Sequence, residues 1–411
     1  MNTYQLPTKT LHYGSAFILL FCIVLFLPRI SDAAWTSIHT AANTDCQAVY
    51  FPIDAQTGYV VGHGYIKILK TTDGGQTWID QGSGITANLL SVHFPVDAET
   101  GYAVGSGGII LNTTNGGIDW VEQISPTSED LQSVCFPVDA QTGYAVGWEG
   151  TILKTTDGGE NWITQTSGTT AILMAVHFPV DAQIGYIAGD YSMVLKTENG
   201  GDAWRNISFN NTSAFEAIQF PNDNLIGYVV GYNPEAYKTT DGGENWTSVF
   251  PPVDNSYAAF HTVCFPVDDQ IGYAAGPGQD VFKTTDGGNT WILQFAPCWI
   301  IRSIHFPVDT DTGYAVGSNG QILKTTDGGG TFIEEEIGKQ IFTELQVHPN
   351  PFTSHTCLIG HEQDRFDIWD IAGRKVGVYF GNRVGFDLVP GIYFITRKGL
   401  LEKPILIVKV R

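Results

Sequence analysis

Residues 136–162 read FPVDAQTGYAVGWEGTILKTTDGGENW, and this stretch decides the fold because the chain carries seven versions of it. Phe-Pro-x-Asp followed by Gly-Tyr-x-x-Gly begins at Phe51, Phe94, Phe136, Phe178, Phe220, Phe265 and Phe306, at spacings of 41 to 45 residues. Each unit continues into a Thr-Thr-Asp-Gly-Gly type box. Its acidic or amide residue is Asp73, Asn115, Asp157, Asn199, Asp241, Asp286 or Asp327, and the closing aromatics are Trp78, Trp120, Trp162, Trp204, Trp246, Trp291 and Phe332. A fixed period of this length marks a repeat architecture.

Within a unit the pattern predicts four short strands. Leu89 to Phe94 is β-rich and stops at Pro95, which cannot donate to a central ladder. Gly101 to Gly105 is the second strand, Thr151 to Thr155 of the next unit illustrates the third, and the Asp-Gly-Gly turn leads to a fourth beginning at the Trp. Four strands per unit in seven units give an all-β, seven-bladed β-propeller, whose closed ring removes the free edges of separate sheets. A parallel β-helix is the rival, but its turns are shorter and lack the hairpin box. Trp35-Thr36-Ser37-Ile38 reads as a fourth strand without its own first three, suited to pair with the last blade and latch the ring.

The boxes resemble the Asp-box, or BNR, repeat, and the unit as a whole resembles propellers of the photosystem II assembly and stability factor type, over about residues 35–335. The resemblance implies binding of a partner protein through basic surface residues, and this propeller is short of those. Physically the box is a folding device. The Asp carboxylate accepts N–H groups of its own turn, the glycines take positive φ, and the Trp packs between sheets. Asn115 and Asn199 keep the bonding without the charge.

The ends read differently. Lys9, an apolar run from Ala16 to Leu27, and the small residues Ser31 and Ala33 predict a signal peptide over 1–33. An uncleaved anchor is the alternative. The propeller spans 34–338 and a linker 339–344. Residues 345–411 hold Pro349-Asn350-Pro351-Phe352, then Trp369 to Val376, then Val389-Pro390-Gly391-Ile392, and end on Lys409-Val410-Arg411. Strands alternating with Gly turns predict a small Ig-like β-sandwich. The three blocks resemble the C-terminal sorting domain of type IX secretion cargo, which implies outer-membrane secretion machinery as a partner and a secreted or cell-surface location. An ordinary Ig-like accessory domain is the plain alternative.

Between these ends lie 10 basic and 35 acidic residues. So negative a surface repels phosphate backbones, which argues against nucleic acid as a partner. Cys46, Cys135, Cys264, Cys298 and Cys357 are too scattered for a disulfide framework. Free buried thiols are expected, with a Cys46–Cys298 bridge left open because the two enter neighbouring blades.

Seven copies can be compared with one another. The Pro-x-Asp and Asp-Gly-Gly turns are nearly invariant and lie on one face, which is structural. The loops between second and third strands, and between blades, vary and lie on the other, where specificity is expected. At the mouth of the innermost strand stand Gln47, Leu90, Gln132, Met174, Glu216, His261 and Arg302. Gln47, Glu216, His261 and Arg302 come from consecutive blades. The second-to-third loops add Trp148, Glu149, Asp190, Tyr191, Tyr232, Glu235 and Asp280. Acidic groups interleaved with aromatics suit a protein or glycan ligand.

A second ring, immediately before Phe-Pro, is Tyr50, His93, Cys135, His177, Gln219, Cys264 and His305. Its three His and two Cys raise a metal reading, but polar contacts between blades are the expected role, and no metal or cofactor is assigned. Catalysis is not assigned either. Some Asp-box propellers are sialidases, which clamp substrate with an arginine triad. The middle segment has only Arg205 and Arg302, and six of its lysines sit beside the box on the structural side, so a triad cannot be assembled. A glycoside hydrolase using a pair of loop carboxylates remains the alternative to a binding platform.

Overall fold

The computed structural model describes residues 35–330, apart from 42–43, 66, 83, 85, 210–212, 234, 250–258 and 279, together with parts of 347–409. Seven four-stranded antiparallel sheets account for 35–330. The third blade is representative, with strands Leu131–Cys135, Gly143–Gly147, Ile152–Thr155 and Ile163–Gln165. Its second strand is buried at all five positions because neighbouring blades cover both faces. The fourth is largely exposed, as an outer edge must be.

Aromatic packing between blades explains the repeated sequence. Phe136 stacks on Tyr102 of the preceding blade, with ring centroids 3.7 Å apart, and meets Trp162 of its own blade edge-on at 6.0 Å. A Cβ at Gly143 would collide with the Phe136 ring, so the first glycine of Gly-Tyr-x-x-Gly makes room for this stack. The Asp box forms as its chemistry dictates. Asp157 Oδ1 accepts the Asn161 N–H at 2.9 Å, Thr155 Oγ1 accepts the Gly159 N–H at 2.9 Å, and Gly158 and Gly159 hold φ of 71° and 85°. Asn115 and Asn199 accept the equivalent N–H groups at 3.0 Å.

The structural face is locked from blade to blade. Tyr144 donates its hydroxyl to the Ala182 and Gly200 carbonyls of the next blade, at 3.2 and 2.8 Å. The same pair of bonds recurs at Tyr59, Tyr102, Tyr186, Tyr228, Tyr273 and Tyr314. Lysines lie over six of these rings, Lys154 over Tyr144 at 5.9 Å being one, and Asn112 replaces the lysine in the second blade. The lysines therefore face the structural side, as their place beside the box indicates.

The latch closes as the sequence suggests. Thr36–Thr40 pairs antiparallel with Gln321–Thr325 as the fourth strand of the last blade. Trp35 is fully buried and meets Phe306 edge-on at 5.9 Å, the geometry Trp162 has with Phe136. The closing aromatic of the last blade is thus Trp35; Phe332, expected there by homology among the units, lies outside the described residues. So do the leader at 1–33 and the linker at 339–344.

Cys46, Cys135, Cys264 and Cys298 are free. Cys298 packs in the cluster of Ala315, Cys46 in that of Tyr314 and Val316. The two thiols lie near enough that burial first, and the Cys298 charge second, push the Cys46 thiol up to about 12, but they are not bridged. Beyond 346, short strands pair in one three-stranded and one four-stranded antiparallel sheet, the latter in the order 375–380, 365–370, 391–397, 405–409.

Candidate functional site

The innermost strands carry β-bulges at their variable-face ends. Register shifts between Cys46 and Ala48, Leu89 and Ser91, Leu131 and Ser133, Leu173 and Ala175, Phe215 and Ala217, and Ile301 and Ser303 mark six of them. The extra residues are Gln47, Leu90, Gln132, Met174, Glu216 and Arg302. His261 holds the equivalent place in the sixth blade, where its N–H donates to the Ala275 carbonyl at 2.8 Å. A bulge re-aims one side chain without disturbing those beyond it. All seven residues retain partial exposure, and each directly follows a buried residue. The second glycine of Gly-Tyr-x-x-Gly permits the bulge. A Cβ at Gly147 would strike the Asp130 carbonyl, and one at Gly231 that of Ala214.

Three of these residues meet. Arg302 Nη1 lies 3.3 Å from His261 Nε2, and His261 Nδ1 lies 3.9 Å from Glu216 Oε2. Guanidinium only donates, so Nε2 must accept and the proton of neutral His261 sits on Nδ1, toward Glu216. The Glu216 and His261 side chains are only 15% and 8% exposed, so the group is recessed. Tyr232, 47% exposed, lies close enough to Glu216 to feel its charge and packs edge-on to His261 with centroids 6.3 Å apart. Burial raises its hydroxyl pKa, and the Glu216 charge adds to this. Asp190 joins from the fourth blade. Burial first, and the Glu216 charge second, push its carboxyl above the ordinary range.

The remaining expected residues are spread around the rim. Trp148 and Glu149 form a 3₁₀ turn in the third blade, where Trp148 is 43% exposed and Glu149 has φ of 53°. Glu149 borders a shallow groove of about 680 Å³ shared with Gln165 and Thr170. Tyr191 projects from the fourth blade, 78% exposed. Glu235 and Asp280 begin third strands, opposite Gly231 and Phe295. Burial raises the Asp280 carboxyl. Gln47 sits beside Arg302 in blade order.

The comparison of copies passed over a polar set on the far side of the mouth. His63 is lowered chiefly by burial, with the Lys67 and Arg302 charges acting the same way and Asp45 and Asp130 opposing them. Asp45 Oδ1 accepts the Asn319 N–H at 2.8 Å, Asp130 Oδ1 accepts the Gly107 N–H at 2.7 Å, and Lys67 donates to Asn88 Oδ1 at 2.9 Å. These ties hold variable loops of neighbouring blades. The available signal was that all five residues border variable loops.

The His and Cys ring serves the blade joints. His177 Nε2 lies 3.0 Å from the Phe220 carbonyl, and His305 Nε2 3.0 Å from that of Phe51. His93 Nδ1 accepts the Phe136 N–H at 3.3 Å, and its Nε2 lies 3.3 Å from the Tyr50 hydroxyl. Gln219 accepts the Phe265 N–H and donates to the Phe265 carbonyl. Burial pushes His93 and His305 down to about 4 and Cys264 up to about 12. Among the described residues, no group of three His, Cys, Asp or Glu side chains is placed to hold a metal ion.

The family model described as Photosynthesis system II assembly factor YCF48 matches residues 27–125, 120–213 and 204–295. No curated protein matches the chain. Among solved structures, YCF48 bound to D1 peptide aligns with a TM-score of 0.60 at 20% identity, over 71% of this chain and 97% of that one. YCF48 from Cyanidioschyzon merolae aligns at 0.58 and 20% identity, over 71% and 99%. The Niastella koreensis GH74 enzyme aligns at 0.59 and 18% identity, over 72% of this chain but only 54% of its own length. At such identities the likeness shows the propeller fold.

Proposed function

The chain belongs to the photosystem II assembly factor YCF48 family, and on that footing we propose that it is a protein-binding propeller whose ligand docks at the axis mouth of the variable face. The observation that carries this reading is the convergence of Glu216, His261, Arg302, Tyr232 and Asp190, from four successive blades, in one recess. Polar groups that converge in a partly dry recess on a rigid scaffold are characteristic of ligand sites. That a YCF48 structure holds a D1 peptide supports a polypeptide ligand in kind. The exposed Trp148 and Tyr191 extend the surface toward the rim. Glycan binding at the same aromatic and acidic loops is the variant of this reading.

The reading includes export. The leader at 1–33 would direct secretion, and residues 345–411, as an Ig-like sandwich resembling a sorting domain, would engage outer-membrane secretion machinery. Both would put the propeller outside the cell or on its surface.

A fluorescently labelled full chain on a random peptide array and a glycan array tests the reading. Peptide binding that survives Trp291→Phe, on the opposite side of the blade stack, but is lost in Tyr232→Ala with Glu216→Ala would support it. Absence of any peptide binding would overturn it. A second reading, hydrolysis of a polysaccharide, draws on the Asp190 and Glu216 carboxylates, whose interaction favours a proton on Asp190. Polysaccharide turnover abolished by Asp190→Asn would establish it.

A further inference from the structure

The recess is unbalanced in charge. Asp190 and Glu216 repel each other on the side of the fourth and fifth blades. The one nearby arginine, Arg302, is turned to His261 on the side of the sixth and seventh. No lysine of the propeller stands at this side of the mouth: six sit over tyrosine rings on the structural face, and Lys67 is engaged by Asn88.

A second observation points outward. His261 is more than nine-tenths buried, yet its Nδ1 has no hydrogen-bond partner. With Nε2 accepting from Arg302, Nδ1 carries a hydrogen that lacks an acceptor, and a buried donor left unsatisfied is costly. A ligand carbonyl would remove that cost.

The aromatic walls are held in place at some expense. Tyr191 and Ser192 have φ of 56° and 57°, and Asn233, next to Tyr232, has 61°. The equivalent pair in the second blade is Gly107 and Gly108, which adopt such values freely. Ser192 is pinned through its N–H and hydroxyl to the Ser213 carbonyl, at 2.6 and 2.9 Å, and Asn233 donates to Ser213 Oγ at 3.0 Å. Ser213 therefore ties together the two loops that carry Tyr191 and Tyr232. Strain retained in a non-glycine loop that presents an exposed aromatic is a mark of a functional surface.

We propose that the recess between Asp190, Glu216 and Tyr232 receives a lysine or arginine side chain of the polypeptide ligand, while the backbone carbonyl of that ligand accepts from His261 Nδ1. This rests on the peptide-binding reading and specifies its ligand. The cation lies between two carboxylates and against the Tyr232 ring, where both attractions act on it in a half-dry site. It stays on the fourth- and fifth-blade side, where the two carboxylates outweigh the Arg302 charge that also reaches Tyr232.

The test uses the full chain and synthetic peptides. Peptides that bind on the array are remade with each Lys and Arg changed to norleucine or to glutamine, and N-acetyl-lysine methylamide and N-acetyl-norleucine methylamide serve as minimal probes by saturation-transfer NMR. Binding is expected to fall about tenfold or more on removal of one cationic residue, and in Glu216→Gln or Asp190→Asn, and to weaken with salt. Only the lysine probe should show transfer. Unfolding midpoints of both variants confirm that they fold. Array peptides that bind equally well with norleucine would overturn the cation and leave the peptide-binding reading standing. No peptide binding at all would overturn both.

Discussion

The Tyr314 hydroxyl of the last blade donates to the Ala55 carbonyl of the first at 2.8 Å, across 259 residues of chain. This is the same bond that Tyr144 makes to the next blade in sequence, so the joint that closes the ring is chemically no different from the other six.

Tyr314→Phe and Tyr144→Phe are therefore expected to destabilise alike. Each removes a hydroxyl shared by two carbonyls, which should cost about 1–2 kcal/mol. Urea unfolding of the two variants checks it. A loss confined to Tyr314→Phe would mean that the closing joint bears a special load.

The latch predicts a larger effect. Trp35→Ala removes a fully buried indole between Tyr273 and Phe306 and should cost about 3–5 kcal/mol. Limited proteolysis should then cut first in the last blade, because its fourth strand is no longer anchored. Uniform cleavage around the ring would contradict this.

The histidine ring predicts a pH dependence. His93 and His305 are held near 4 by burial, and the His305 and His177 charges add to the effect on His93. The unfolded chain binds these protons first, at about 6.5. Stability from this source is thus intact above about 6.5 and is lost progressively as pH falls toward 4. Gln219 makes the same joint without a titratable group. The triple variant His93→Gln, His177→Gln, His305→Gln should accordingly lose less of its unfolding temperature between pH 7 and pH 4 than the wild type. Equal slopes would refute the assignment.

Gly147→Ala should be far costlier than an ordinary strand glycine replacement. The added Cβ meets the Asp130 carbonyl, so the bulge carrying Gln132 must shift, at an expected cost of about 2–4 kcal/mol. Gly168→Ala, where nothing lies within 4 Å, should show only the smaller cost of its positive φ. Thermal unfolding of the two variants makes the comparison.

Much of this was legible because the chain contains its own comparison set. Invariant turns and variable loops separate the two faces, and the Phe, Tyr, Gly and Asp-box positions state their packing through seven repetitions. The axis-mouth positions of Glu216, His261 and Arg302 were readable from their distance to Phe-Pro, and the structure does bring them together. What the repeats could not reveal is direction. Tyr232 and Asp190 looked equivalent to Glu235, Asp280, Trp148 and Glu149, yet only the first two reach the recess. His63 and its neighbours gave only the weak signal of bordering variable loops, because their role depends on loops from other blades.

The sequence by itself determined seven blades, the latch strand and the division of faces, since each follows from local patterning repeated at a fixed period. Only the tertiary structure decided that Trp35 meets Phe306 as the closing aromatic of the last blade, that Cys46 and Cys298 stay unbridged, and that His261 carries its proton toward Glu216. The physical reason is the same in each case. These relations join residues 41 to 271 positions apart through ring closure and through bulges whose side chains turn on a single backbone shift, and no local period encodes where such a turn points.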